Sequence, residues 1–147
     1  MSQRFGNRLA RLLDARPNSN TAKDGRLREV FKGDDLFKRI GRNGFQITEH
    51  IILPGEITGK HIHEIKYEVM YVSQGMITVF LKDSRTGEIY VETMPRGYLF
   101  DLPPFIAHTL YNPGRGDCRI FEFTNLIFDP KDSRRDVANY VLFNSLS

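Results

Sequence analysis

Short segments with the composition of β-strands follow one another through the middle of the chain, and this spacing limits the possible folds more than any other feature. Each segment is rich in β-branched and aromatic residues, and turns containing glycine, proline or asparagine separate them. The segments are 46–52, 69–72, 76–81, 89–91, 98–100, 108–111 and 120–123. Closely spaced short strands are typical of a β-sandwich or β-barrel. The sequence therefore predicts an all-β domain and, because no internal repeat occurs, a single barrel.

The two ends of the chain differ from this central part. Apolar residues recur at helical spacing within residues 1–16 (Phe5, Leu9, Leu12 and Leu13), which predicts a short N-terminal helix packed on the barrel or on a partner subunit. An arginine-rich targeting peptide is the alternative, against which Asp14 and the short length argue. We expect a helix, a loop and a leading strand in residues 1–44, the barrel in 45–130, and a tail in 131–147 that is either a closing helix or an edge segment.

The composition excludes several classes of protein. Apolar residues make up 40% of the 147 residues and charged residues 27%, the balance of one globular domain. No apolar stretch is long enough to cross a membrane, no secretory signal is apparent, and the single cysteine, Cys118, cannot form an internal disulfide. We therefore expect a cytoplasmic protein without membrane association. The net charge of +3 is scattered and no nucleic-acid-binding motif occurs, so nucleic acid is not an expected partner.

Three histidines and a glutamate are spaced so that they can converge. His61 and His63 stand two residues apart, so both rings project from the same face of a strand. A short turn returns the chain to Glu68 on the neighbouring strand, and His108 follows on a later strand. Three imidazoles and a carboxylate suit a divalent Fe, Mn, Co, Ni or Zn ion, and they leave positions in its coordination sphere for water or substrate. The sequence predicts one divalent metal ion at a reactive site.

The segments around these residues resemble the two motifs of the cupin superfamily. The pattern G-x5-H-x-H-x4-E-x6-G is matched by Gly55, His61, His63, Glu68 and Gly75. The pattern G-x5-P-x-G-x2-H-x3-N is matched by Gly97, Pro103, His108 and Asn112, with Phe105 in place of its second glycine. The resemblance implies a double-stranded β-helix, or jelly-roll barrel, that holds its metal through the three histidines and Glu68. A barrel that keeps these residues only as a scaffold is the alternative. Phe105 alters the turn before His108, and its ring is a candidate to line the pocket mouth.

Further segments resemble cupins that act on nucleotide sugars. Residues 58–63 are similar to R-G-x-H-x-H, with Thr58 in place of the arginine, and three segments are similar to the C-terminal cupin domain of capsular-polysaccharide enzymes: 86–90, 101–104 and 125–130. Residues 24–31 are similar to the first strand of the deoxysugar 3,5-epimerases, and residues 135–143 to the tail of the dTDP-sugar 3,4-ketoisomerases. The ketoisomerases carry glutamine where Glu68 stands and the 3,5-epimerases carry glutamine where His63 stands, so both differences favour a metal-dependent relative.

The resemblance implies proton transfer beside a ketone. It indicates an isomerase or epimerase of a keto-sugar nucleotide in cell-surface polysaccharide biosynthesis, in which the metal polarises the carbonyl group. A base must move the proton, and a histidine whose lone pair binds the metal cannot do so. The candidate bases are Tyr111, His50 and Glu64. Arg26 and Arg28 are candidate ligands of a diphosphate, because guanidinium groups suit phosphate oxygens, with ordinary surface charge as the alternative.

Two other functions fit the same residues. A non-haem metal dioxygenase of a small organic substrate would use the same ligands with iron, and a non-catalytic cupin would bind a small molecule without turnover. The expected partner is a small molecule in each case. Packing of one barrel against another would cover exposed sheet edges, so we also expect a homodimer.

Overall fold

The computed structural model describes residues 9–17, 26–42, 44–126 and 138–139. The elements in these ranges are strands β1 (Ala10–Leu12), β2 (Arg16–Pro17) and β3 (Arg26–Leu27), helix α1 (Asp35–Ile40), and strands β4 (Gln46–Ile52), β5 (Ile57–Ile62), β6 (Glu68–Gln74), β7 (Met76–Asp83), β8 (Ile89–Pro95), β9 (Tyr98–Leu102), β10 (Ile106–Tyr111), β11 (Cys118–Thr124) and β12 (Ala138–Asn139). Each strand segment predicted from the sequence lies within one of these strands. The prediction of an all-β fold is confirmed.

Most of the strands form two five-stranded antiparallel sheets. The first sheet has the order β1-β9-β6-β11-β4 and the second the order β12-β5-β10-β7-β8, while β2 and β3 pair separately. Side chains alternate between the two faces of each strand, as in β7, where Ile77, Val79 and Leu81 are buried and the residues between them are partly exposed. None of the described helices is long and apolar enough to span a membrane.

The hydrophobic core lies between the two sheets. It joins fully buried side chains of the first sheet, such as Ile52 and Phe100, to those of the second, such as Val79 and Leu81. A smaller cluster, in which Ile40 of α1 takes part, covers the outer face of β6 and β9. The buried polar side chains include His63, Glu68 and His108.

The two ends of the chain add strands to the sheets. Of the described residues in the expected N-terminal helix, only Leu9 is helical, and the chain enters β1 at Ala10 and pairs with β9. The segment from Ala10 is extended despite its helical spacing of apolar residues, because the edge of the first sheet offers backbone hydrogen bonds to an extended segment. Phe5 lies outside the described residues. In the C-terminal tail, Ala138–Asn139 pair with β5 as an edge strand, and the remainder of 127–147 is likewise outside the described residues.

Two motif positions have structural roles in the turns. Gly75 joins β6 to β7 with a φ of +75°, and a β-carbon there would lie 2.6 Å from the carbonyl oxygen of Asp117, so a side chain is excluded. The buried amide of Asn112 donates hydrogen bonds of 2.8 and 2.9 Å to the carbonyl oxygens of Ile52 and Gly116. Its oxygen accepts a third from the backbone N–H two residues later. The turn after β10 is thereby fastened to the end of β4.

Candidate metal centre

His61 and His108 lie opposite each other on neighbouring strands. They are register partners in the antiparallel pair of β5 and β10, and their ring centroids are 4.4 Å apart. A β-bulge follows at Thr109, and the chain reaches His61 through Gly59 and Lys60, whose φ angles are 85° and 58°. Bulges and left-handed residues of this kind redirect side chains and are often found beside functional sites. Here they accompany the convergence of the two rings inside the barrel.

His63 and Glu68 lie at the two ends of the loop that joins β5 to β6. His63 is 3% exposed, and Glu68, the first residue of β6, is 2% exposed. The carbonyl oxygen of His63 accepts a 2.7 Å hydrogen bond from the backbone N–H of Phe105, which ties this loop to the turn before β10. His63 Nε2 lies 3.1 Å from Glu68 Oε1. The imidazole and the carboxylate therefore face each other in the barrel interior.

The four predicted ligands form one cluster. One ligand atom from each of His61, His63, Glu68 and His108 lies within 4.8 Å of the others. Two atoms bound to one ion at about 2.1 Å can be at most about 4.2 Å apart, so a small contraction of the cluster completes a coordination sphere. The spacing predicted from the motifs and the geometry of the structure thus agree on which side chains converge.

Three of the four side chains, His61, Glu68 and His108, have the protonation states that bind metal. Burial lowers the pKa of His108 to about 3, and burial together with the neighbouring His63 lowers the pKa of His61. Both rings are therefore neutral at physiological pH. Burial alone would raise the pKa of Glu68, but the His63 imidazole 3.1 Å away and the positive charge of Lys66 outweigh burial and hold that pKa below its usual range. Neutral imidazoles beside an ionised carboxylate make a suitable donor set for a divalent ion.

One oxygen of the Glu68 carboxylate supports this interpretation. Glu68 Oε2 is buried and accepts no hydrogen bond from the described residues, and His108 Nε2 is 3.9 Å from it. An ionised oxygen in this position is costly without a positive partner. A divalent ion at the centre of the cluster would provide that partner, so the residues present fit a metal.

Lys66 provides a positive charge to the other oxygen of Glu68. Its Nζ atom lies 2.8 Å from Glu68 Oε1, and its side chain is 23% exposed. Lys66 was not predicted from the sequence, because a lysine in a loop between two predicted ligands carries no periodic signal. The carboxylate is thus shared between a fixed cation and the candidate metal position.

The three candidate bases occupy different places. His50 lies on the inner face of β4, since its register partner Ile120 is fully buried in the core. Tyr111 follows His108 by three positions on β10, so strand alternation puts its side chain on the outer face beside Thr78. Glu64 is exposed in the loop after β5. Of the three, His50 is the one that the strand register places on the same inner face as the cluster.

The candidate phosphate ligands lie on the N-terminal segment. Arg26 is exposed on β3, and the Arg28 guanidinium packs on Gly97, where a β-carbon would lie 2.8 Å from Arg28 Nε. The N–H of Gly97 donates to the carbonyl oxygen of Val72, four positions along β6 from Glu68 and about 13 Å away along the strand. The structure therefore places Arg28 toward the end of the barrel remote from the cluster.

Phe105 keeps the turn that its motif assigns to glycine. Its φ is +70°, an unusual value for a residue with a side chain. The carbonyl oxygen accepts hydrogen bonds of 3.0 and 2.8 Å from the backbone N–H and the hydroxyl of Ser84, and the ring lies 5.0 Å from the guanidinium carbon of Arg85. These contacts, together with the bond to His63, hold a strained turn directly before the strand that carries His108.

Glu122 lies near the cluster and was not predicted from the sequence. It lies on β11 with its side chain 20% exposed, and its Oε1 is 3.8 Å from His50 Nδ1. The segment 120–123 was predicted as a strand, but nothing in one sequence shows which strand pairs with it or which side chain it faces. The alternation of Ile120 and Glu122 was the only available signal, since it placed both side chains on one face.

Comparison with known proteins identifies the fold. Neither a protein-family model nor a curated protein matches this sequence. The capsular polysaccharide assembling protein CapF from Staphylococcus aureus is similar with a TM-score of 0.60 and 25% identity, over 65% of this chain and 26% of that one. A dTDP sugar isomerase from Desulfovibrio desulfuricans has a TM-score of 0.69 at 17% identity, over 90% and 84%. The dTDP-6-deoxy-D-glucose-3,5-epimerase RmlC from Legionella pneumophila, in complex with dTDP-4-keto-L-rhamnose, has a TM-score of 0.65 at 15% identity, over 83% and 68%.

These findings establish the class of fold. The facing antiparallel sheets and the motif residues between them make the fold that of a cupin. More narrowly, the structure has the fold of the sugar-nucleotide cupins, as the motif resemblance predicted. The chain spans about a quarter of the length of CapF, 26%. At identities of 14–25% the likeness establishes the fold, and the reaction is a separate question.

Proposed function

We propose that this protein is a metal-dependent cupin that isomerises or epimerises a keto-sugar nucleotide used in cell-surface polysaccharide biosynthesis. The observation that carries the proposal is the convergence of three imidazoles and the Glu68 carboxylate inside a fold shared with sugar-nucleotide epimerases and isomerases. A buried cluster of this kind is expensive to maintain for stability alone, because each polar group loses its hydration. A functional role accounts for that cost.

In this proposal His61, His63, Glu68 and His108 hold one divalent ion, with Zn, Fe, Mn and Ni as the candidates. When bound, the ion supplies Lewis acidity toward the carbonyl oxygen of the sugar. The chain itself presents the donor atoms on the walls of a barrel and keeps water from the buried side of the cluster, where His63, Glu68 and His108 lie. His61 is partly exposed, and the substrate approaches from its side.

The substrate class is inferred from the neighbours of the fold. The Legionella epimerase binds dTDP-4-keto-L-rhamnose, a nucleotide-linked sugar with a ketone, and CapF is a capsular polysaccharide assembling protein. A C–H bond beside a ketone is acidic enough for a side-chain base to remove its proton when the carbonyl oxygen is stabilised. We therefore propose that the present chain acts on this class of substrate, and the proposal names no particular sugar.

Metal content is the first test. The protein is analysed by inductively coupled plasma mass spectrometry as purified and after reconstitution with each candidate ion, beside the double variant His61→Ala, His108→Ala. His50→Ala is the matched control, because His50 is the one histidine of the four outside the cluster. We expect about one ion per chain in the wild type and the control and its loss in the double variant. A wild type that binds none of these ions after reconstitution would overturn the metal-dependent proposal.

Catalysis is tested with the metal-loaded protein. A nucleotide-linked 4-keto-6-deoxy sugar is incubated with it in deuterium oxide, and deuterium incorporation beside the ketone is followed by NMR. Incorporation that disappears in the double variant supports the proposal. If the protein retains its ion and yet exchanges no proton in a panel of keto-sugar nucleotides, the isomerase proposal fails. Oxygen uptake by the iron form would then indicate a dioxygenase.

A further inference from the structure

A histidine and a carboxylate lie side by side on the inner face of the first sheet, next to the cluster. The register of β4 and β11 pairs His50 with Ile120 and Thr48 with Glu122. Ile120 is fully buried in the core between the sheets, so the side chains in register with this face, His50 and Glu122 among them, point toward the barrel interior. Both are partly accessible, with side-chain exposures of 35% and 20%.

The two side chains interact with each other. His50 Nδ1 lies 3.8 Å from Glu122 Oε1, within ion-pair range and longer than a hydrogen bond. The Glu122 carboxylate raises the pKa of His50, and the more distant charges of Glu56 and Glu68 act in the same direction, whereas burial opposes them. Because Nδ1 faces the carboxylate, Nε2 is the ring nitrogen that can face a ligand. This is the arrangement in which a carboxylate orients an imidazole and stabilises its protonated form.

The pair is adjacent to the metal cluster without belonging to it. Strand β11 lies between β4 and β6, and its residue Thr124 is the register partner of Glu68 while Glu122 is the partner of Met70. Glu122 is therefore a diagonal neighbour of Glu68 on the same face of the sheet, and such neighbouring residues are about 7–8 Å apart. The Glu122 charge also acts on His61. If the carbonyl oxygen of a substrate lies at the cluster, the carbon beside that carbonyl group lies near the inner side chains of the first sheet.

We propose that His50, oriented by Glu122, is the base that takes the proton from the carbon beside the substrate ketone. This inference rests on the proposed function. The His50 Nε2 lone pair forms the new N–H bond, the electron pair of the broken C–H bond forms the carbon–carbon double bond of an enediolate, and the carbonyl π pair moves to the oxygen. The imidazolium is partly exposed and exchanges its proton with solvent. It then delivers a proton to the neighbouring carbon, or it releases its proton to water while a solvent proton adds to the opposite face of the same carbon, and either step restores a ketone. No oxidant or reductant is needed.

The requirement for a separate base follows from the histidine content. The sequence has four histidines, and three of them lie in the cluster, where a lone pair that binds an ion cannot accept a proton. His50 is the remaining one, and it lies on the inner face. Glu122 is the positioning residue of this pair, since it acts on the substrate only through His50.

The test compares His50→Gln and Glu122→Gln with the control Glu49→Gln in the deuterium-exchange assay. Glu49 is the residue before His50 on β4 and pairs with Arg119 at 3.0 Å on the exposed face, so the control removes the same charge from the opposite side of the strand. With metal content unchanged, we expect His50→Gln to lose at least about 100-fold in exchange rate. Glu122→Gln should lower the rate and shift the acid limb of the kcat/KM profile to lower pH, because removal of the carboxylate lowers the pKa of His50. The control should match the wild type.

The outcomes separate this inference from the proposed function. If the wild type exchanges protons and His50→Gln retains its rate within about threefold, His50 is not the base, while the proposed function stands. If Glu122→Gln leaves the pH profile in place, Glu122 does not position His50. If the metal-loaded wild type exchanges no proton, the proposed function fails and the inference falls with it. Should His50→Gln not fold, as judged by circular dichroism, the pH profile of Glu122→Gln decides the question.

Discussion

Gly59 packs directly against His108: a β-carbon on Gly59 would lie 3.0 Å from the His108 carbonyl oxygen and 3.3 Å from its ring Cδ2 atom. Gly59 also has a φ of +85°, which favours glycine. We predict that Gly59→Ala displaces the His108 ring and weakens metal binding by at least tenfold, in addition to lowering the melting temperature. Isothermal titration with the ion found in the purified protein measures the affinity.

The control for Gly59 is Gly87→Ala. Gly87 has a φ of +77°, and a β-carbon there would meet no atom within 4 Å, so this variant carries the backbone cost of about 1–2 kcal/mol without the contact. Its metal affinity should equal that of the wild type. Equal affinities in the two variants would show that the cluster tolerates movement of His108.

Phe105 offers a measurement of strain at the turn before His108. Glycine adopts a φ of +70° without penalty, whereas alanine keeps the strain and loses the ring contact with Arg85. We therefore predict that Phe105→Gly is more stable than Phe105→Ala by about 1 kcal/mol in urea denaturation. At Val91, which lies in strand β8, the order should reverse, with glycine less stable than alanine. The same order at both positions would mean that the left-handed turn is not retained.

Lys66 is predicted to substitute in part for the metal charge. Lys66→Met removes the ammonium group 2.8 Å from the buried Glu68 carboxylate and should lower the free energy of unfolding of the metal-free protein by on the order of 2 kcal/mol. A bound ion would neutralise the same carboxylate, so the stabilisation on adding metal should be larger in Lys66→Met than in the wild type. Thermal unfolding with and without metal measures both. Lys38→Met is the control, because Lys38 pairs with Asp34 at 3.4 Å on the surface, where such pairs contribute little.

The four cluster residues and most strands were predictable because their signals are local. Two histidines separated by one residue share a face in any strand, and the motif spacing placed Glu68 and His108 beside them. Tyr111 was a candidate base, but its odd separation from His108 on one strand puts the two side chains on opposite faces. The position of Arg28 could not be read in this way, because it depends on how the N-terminal segment crosses the outside of the barrel.

Contacts between strands that are far apart in the sequence could not be predicted from the sequence. Glu122 faces His50 because β11 pairs with β4 in one particular register, and a shift by one residue would turn Glu122 to the outer face. The strand at Ala10 likewise exists because the edge of β9 is available to it, which no local pattern reveals. The structure therefore contributes most where two segments far apart in sequence supply one site.

The pair of His50 and Glu122 also predicts a dependence of stability on pH. The pKa of His50 is raised in the folded state by Glu122, so the pair stabilises the fold below the unfolded-state pKa of histidine, about 6.5, and this contribution is lost as the pH rises through the raised value. The difference in free energy of unfolding between the wild type and Glu122→Gln should be larger at about pH 6 than at about pH 9. Urea denaturation at the two pH values tests this. Glu49→Gln should show no such change, since its partner Arg119 stays charged throughout.

The homodimer expected from the sequence has a specific candidate surface on β4. This strand pairs with β11 on one side and with no other described strand. Ile47 and Ile51 on its outer face are exposed, as is Leu53 directly after it. An apolar edge of this kind is covered when a second copy packs on it. We predict that Ile51→Arg converts a dimer into a folded monomer, measured by light scattering after gel filtration. Val91→Arg, on the exposed edge strand β8 of the other sheet, should leave the dimer intact. A monomeric wild type would show that the expectation of a dimer is wrong, and a dimeric Ile51→Arg would place the interface on another surface.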